Sequence, residues 1–196
     1  MGQEGQDTVK AIVQDSYGSP DVLELRDIDP PVVTDDEVLV RVGAAAVNPP
    51  DWAGVTGVPY IARLASGLRR PRNGVRGSDV AGTVAAVGTN VTGLRGGDEV
   101  FGSATGTFAE YAVAAATTVV PKPTTITFEQ AAAVPMSGLT ALQALRDRSE
   151  IQPGHRVLIN GAGGGIGTAV QIAKSFGADV TGEYSMALDR NDPPIS

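Results

Sequence analysis

Arg156-Val-Leu-Ile-Asn-Gly-Ala-Gly-Gly-Gly-Ile-Gly167 is the stretch whose reading decides the fold. Its first five residues form a short apolar run of strand type, and glycines follow at once. Beyond them Ile166, Ala169, Val170, Ala173 and Phe176 recur on one helical face, and Gly177 is a natural C-terminal stop. Residues 179–184 then begin a second strand, so the order is strand, glycine turn, helix, strand. That is one βαβ unit.

Read strictly, the turn is Ala162-x-Gly164-x-x-Gly167, with alanine in the first glycine position and Gly161 just before it. Between a strand and a helix this spacing is a dinucleotide fingerprint. The small first residue permits the tight turn, Gly164 lets a pyrophosphate approach the backbone, and Gly167 brings helix and strand close together. The diphosphate would lie over unpaired N–H groups at the helix tip, favoured by the helix dipole. The competing reading is a glycine-rich turn that only packs.

Upstream, residues 8–14, 22–28, 37–47, 79–87, 99–102, 108–113 and 118–120 read as short strands between Gly, Pro and Asp clusters. This spacing suggests a barrel or sandwich. Glu37-Val-Leu-Val-Arg-Val-Gly alternates poorly, as expected of a strand buried on much of both faces. Asn48-Pro-Pro-Asp ends it, since proline cannot donate to a ladder. The stretch carrying Arg69, Arg70, Arg72 and Arg76 reads as a solvated surface loop. Thr127 caps a helix with Glu129 and Gln130 near its positive end, and Pro135 interrupts it. Residues 137–148 then place Leu139, Leu142 and Leu145 at helical spacing.

Composition narrows the function classes. Fifteen Lys+Arg against 22 Asp+Glu give a net charge of −7, which opposes binding to a nucleic-acid backbone. With 42% hydrophobic and 19% charged residues the chain has a globular rather than a disordered composition. No apolar run approaches the roughly 18 residues that cross a bilayer, and the polar start lacks the features of a signal peptide. A cytoplasmic protein without a membrane partner is expected. The absence of cysteine excludes disulfides, thiolate zinc sites and a cysteine nucleophile. The single histidine, His155, reads as a surface residue with nothing obvious to orient its ring.

Four motifs in order carry a resemblance. Gly82-Thr-Val-Ala-Ala-Val-Gly-Thr-Asn-Val followed by Gly97-Asp-Glu-Val-Phe-Gly resembles the barrel signature of the medium-chain dehydrogenase/reductase superfamily. Ala46-Val-Asn-Pro-Pro-Asp, Phe128-Glu-Gln-Ala-Ala-Ala-Val-Pro and Leu158-Ile-Asn-Gly-Ala-Gly-Gly-Gly-Ile-Gly resemble its zinc-independent quinone oxidoreductase branch. The resemblance implies an α/β chain: an N-terminal GroES-like β-barrel over residues 8–124, a partial Rossmann unit over 125–185 and an irregular tail over 186–196. It implies reduction of a quinone or enone by hydride transfer from NADPH, with NADH as the alternative coenzyme. Zinc-dependent relatives place a cysteine and a Gly-His-Glu sequence at the metal; here Asn48 and Asp51 stand near the first place and Gly77-Ser-Asp at the second, so no metal is expected.

By the same resemblance Asn48 faces the nicotinamide carboxamide or the substrate carbonyl, and is both a catalytic and a coenzyme-binding candidate. Thr140 would meet the ribose and phosphates. Gly161, Ala162, Gly163, Gly164, Gly165, Ile166, Gly167 and Ser185 complete the coenzyme set. Each has a plainer alternative: Asn48 as a turn residue, Thr140 as helix-interface filler and Asp51 as a cap. Trp52 and Tyr60 line a substrate pocket or fill core space. Glu183 has about the spacing of a ribose-binding acid, but the family register places Tyr184 there, which fits NADPH with Arg190 as the nearby cation.

Length sets this chain apart. A complete Rossmann domain has six strands, and the residues after the barrel suffice for two. The chain therefore reads as C-terminally truncated. The exposed strand edge this leaves invites a homo-oligomer or another association. The alternative to an enzyme is a noncatalytic remnant, or a subunit pairing with a full-length relative. A GroES-like co-chaperone would rest on the barrel alone, and fold analogy does not transfer function.

Overall fold

The computed structural model describes residues 8–183. They fall into two compact units divided between Met136 and Ser137.

The first unit opens with β1 (Val9–Gln14) and β2 (Leu23–Ile28), an antiparallel pair in which Val9 faces Ile28 and Gln14 faces Leu23. Next come β3 (Glu37–Ala46), α1 (Pro49–Thr56) and α2 (Arg63–Ser66). β4 (Asp79–Val87), β5 (Glu99–Ser103), β6 (Tyr111–Ala115) and β7 (Val119–Pro121) follow. The last five strands other than β1 and β2 form one antiparallel sheet in the order β6-β3-β4-β5-β7. Val38, Val40, Val80, Val84, Val100, Ala114 and Val119 meet in its core. The β-branched valines among them suit a pleated, buried face.

β3 differs from expectation. Val38 and Val40 are fully buried while Arg41, Gly43 and Ala45 are exposed, so the strand does alternate. Leu39 hides that alternation in the sequence, and two register shifts, at Leu39/Val40 and Val42/Ala44, break the ladder. Asn48-Pro-Pro-Asp does end the strand, but it also starts α1: Asn48 is the N-cap and proline occupies the first helical position.

α3 (Phe128–Ala132) is capped by Thr127, whose hydroxyl accepts from the Gln130 main chain while Gln130 Oε1 accepts from Thr127 N–H. α3 packs on the barrel sheet, with Ala131 and Ala132 buried against Ala81 and Phe128 beside them. The division between the two compact units falls at 136/137, inside α4 (Pro135–Leu142).

In the second unit a π-helical segment, Gln143–Arg148, continues α4. Leu145 is buried and Leu139 is exposed, so the three leucines do not share one covered face. β8 (Arg156–Asn160), α5 (Gly167–Ser175) and β9 (Asp179–Glu183) complete a βαβ unit. β8 and β9 are parallel, Arg156 facing Asp179 and Asn160 facing Glu183. Ile159, Ala162 and Ala173 lie in one cluster with Leu145 and Ile151, with Val157, Ala169, Val170 and Phe176 packed against it. Leu158, on the other face of β8, is 64% exposed. Among the described residues neither β8 nor β9 has a second neighbour.

Candidate functional site

The glycine turn lies at the start of α5, as its spacing predicts. Gly161 leaves β8 with φ 74°, a left-handed conformation that costs glycine little. Ala162 turns inward: it is buried, and its N–H donates to the Glu183 carbonyl at 2.8 Å. Its methyl fits because residue 182 is glycine; a Cβ there would lie 3.1 Å from that of Ala162. Gly167 lets the helix approach, since a Cβ on it would sit 3.1 Å from the Ala162 carbonyl oxygen. Gly164–Ile166 form a single 3₁₀ turn into the helix.

The helix tip is open. A Cβ built on Gly163 meets nothing within 4 Å. Ile166, at the N-cap, offers no side-chain hydrogen bond, and the first turn of α5 carries no acid. The first turn of α5 thus has neither a side-chain cap nor an acid of its own. Ile166 is 51% exposed, so it belongs to this rim and not to the apolar face expected of it.

Ser137 of α4 borders the turn: a Cβ on Gly165 would lie 3.3 Å from its Cβ, and Thr168 Oγ1 donates to Ser137 Oγ at 3.4 Å. Thr140 stands one helical turn further along α4 and is exposed. Ser185, Tyr184, Arg190 and the tail from 186 lie outside the described residues.

The first unit holds the other candidates. Asn48 N–H donates to Asp51 Oδ2 at 2.8 Å, one half of a capping box. Asn48 Nδ2 donates to Asp79 Oδ2 at 3.1 Å, and Met136 N–H donates to the same oxygen at 3.0 Å. Asn48 and Asp79, which stand in the two segments compared above with metal-binding places, are thus joined by an amide–carboxyl hydrogen bond. Burial pushes the Asp79 carboxyl above its ordinary range, the Met136 N–H and Asn48 amide draw it back, and the charge of Asp51 adds to the rise. Burial likewise raises Asp51, against the Asn48 and Gly77 main-chain donors and the charge of Arg76. A cavity of about 270 Å³ adjoins them, lined by Pro50, Asp51, Arg76, Ser78, Thr105 and Met136 among others.

Arg76 does not behave as a solvated loop charge. Its Nε donates to Gln14 Oε1 at 2.8 Å, and buried Gln14 donates in turn to the carbonyls of Ser16 and Val55 at 2.9 Å. Trp52 and Tyr60 are 57% and 72% exposed, so neither fills the core. The Arg63 guanidinium lies 4.8 Å from the Tyr60 ring centroid. His155 is exposed, but its ring is oriented after all: Nδ1 accepts from Gln152 N–H at 3.2 Å. Sequence reasoning missed the roles of Gln14 and Asp79. The only signal was a polar residue ending, or opening, an otherwise apolar strand.

Among the described residues no helix is long and apolar enough to cross a membrane. Residues 34–124 match the family model for the alcohol dehydrogenase GroES-like domain. Human quinone oxidoreductase is 40% identical over 183 residues, covering 91% of this chain and 53% of the human one. Among solved structures, a quinone oxidoreductase from Coxiella burnetii superposes with a TM-score of 0.80 at 37% identity, over 90% of this chain and 56% of that one. The Escherichia coli quinone oxidoreductase complexed with NADPH gives a TM-score of 0.79 at 30% identity, over 91% and 53% respectively. The chain spans about half the length of these relatives.

Proposed function

We propose, for a chain that belongs to the quinone oxidoreductase-like medium-chain dehydrogenases/reductases, that it serves NADPH-dependent reduction of a quinone or enone without zinc. The open tip of α5 is the observation that carries this reading. Its uncapped N–H groups and the space over Gly163 fit a coenzyme diphosphate. When bound, the dihydronicotinamide supplies the hydride. The chain's own residues hold and orient: Gly161–Gly167 the diphosphate, Thr140 the ribose side, and Asn48 the carboxamide or the oxygen on which charge develops. Zinc independence is supported by the absence of cysteine and by Asn48 and Asp79 bonding each other where relatives bind metal. The reading also places the chain in the cytoplasm, and it assigns to self-association the edge of β8, which has no second neighbour among the described residues.

Fluorescence titration with NADPH, followed by turnover of a simple quinone, tests the reading. The wild-type chain should saturate at one equivalent, and NADH should bind more weakly. Gly163→Asp adds a carboxylate where there is room for it and no left-handed φ to oppose it. It should keep the fold and weaken NADPH by about tenfold or more, a change of some 1.4 kcal/mol. No saturation by the wild-type chain would overturn the proposal, whereas saturation without turnover would favour the noncatalytic alternative.

A further inference from the structure

The carboxyl of Asp79 is fully buried, at 0% exposure, at the first position of β4. Such a group is costly to desolvate, and a role confined to stability would be served by donors on both oxygens. Asp79 is not arranged that way. Oδ2 receives both the Asn48 amide and the Met136 main-chain N–H, while Oδ1 has no hydrogen-bond partner among the described residues. One oxygen thus links the N-cap of α1 to the second residue of α4.

The link has a directional consequence. A carboxylate accepts only from the NH₂ end of an amide, so the Asn48 side chain is held in one of its two flipped states. Its main chain is held as well, through N–H donation to Asp51 Oδ2 at 2.8 Å. Asn48 is therefore fixed at both ends before any ligand arrives, which is how a functional group is preorganised. We infer that Asp79 is a positioning residue, which orients the Asn48 amide toward the coenzyme or substrate and acts on either only through Asn48. This rests on the reading of Asn48 as a ligand-facing residue given above.

The test pairs a spectroscopic readout with a double-mutant cycle on the full chain. The Asn48 side-chain NH₂ resonance is identified by its loss in Asn48→Ala, and its hydrogen exchange is followed. Asp79→Asn keeps an acceptor and should leave that exchange near wild type; Asp79→Ala should speed it roughly tenfold, as expected when a buried hydrogen bond is lost. Asp79→Ser, which keeps a polar group near Met136 N–H but is too short to hold the amide, gives the same reading should the alanine variant not fold. For NADPH affinity, Asp79→Ala and Asn48→Ala should each lose roughly fivefold, and the pair together no more than either alone. Unchanged Asn48 exchange in both Asp79→Ala and Asp79→Ser overturns the inference. So does an Asp79→Ala loss that persists at full size in the Asn48→Ala background. Should Asn48→Ala bind NADPH as wild type does, the ligand role of Asn48 fails, and the exchange data alone decide whether Asp79 holds the amide.

Discussion

At the scale of single residues, two buried carboxyls of the first unit, Asp51 and Asp79, respond to pH. Burial raises both Asp51 and Asp79, so the native chain holds their protons more tightly than the unfolded chain does. For an acid shifted upward, the stability contribution is complete below the unfolded pKa and disappears as pH rises through the folded one. Wild type should accordingly lose stability between mildly acidic and neutral pH. Asp79→Asn, which has no charge to desolvate, should lose less. Thermal melts should place this variant above wild type by about 2–4 °C at pH 7, the equivalent of roughly 1 kcal/mol, with the gap closing at pH 4. Equal melting at both pH values would show that Asp79 is not held in the raised state. None of this was visible in the order of residues. Asp79 stands before an apolar run like any turn residue, and only the fold buries it between Asn48 and Met136.

Elements were more legible than their partners. Strand positions followed from Val, Ile and Leu runs bounded by Gly and Pro, and Thr127 with Gln130 marked α3 correctly. α1 went unread because Pro49-Pro50 looks like an ending. The decisive pattern was Asn48 followed at the third helical position by Asp51, a capping pair that tolerates proline between its members. The fit of α3 on the sheet is steric. A Cβ on Gly43 of β3 would lie 2.7 Å from Cδ2 of Phe128. Gly43→Ala should cost about 1–3 kcal/mol in urea unfolding, the usual penalty for overpacking. Adding Phe128→Leu should recover part of it, because the smaller side chain makes room. A Gly43→Ala chain as stable as wild type would mean that α3 can shift outward freely.

For the whole molecule, the glycine turn told most, since one βαβ pattern identified both the second unit and its open helix tip. What the sequence could not supply was the cover for β8. Leu158 is 64% exposed on β8, which has no second neighbouring strand among the described residues. Leu158→Lys should shift the chain toward monomer in light scattering over a concentration series, because a charge there disfavours strand-to-strand contact. A wild-type chain that is monomeric throughout would remove the basis for self-association. The bare start of α5 has a consequence of its own. No side-chain cap closes the opening turn of α5 among the described residues, so on the proposed reading a bound coenzyme would fasten the helix as well as react. Trypsin digestion with and without NADPH should show it: cleavage after Lys174 should slow when the coenzyme is present, and cells short of reduced nicotinamide would hold less of this chain intact.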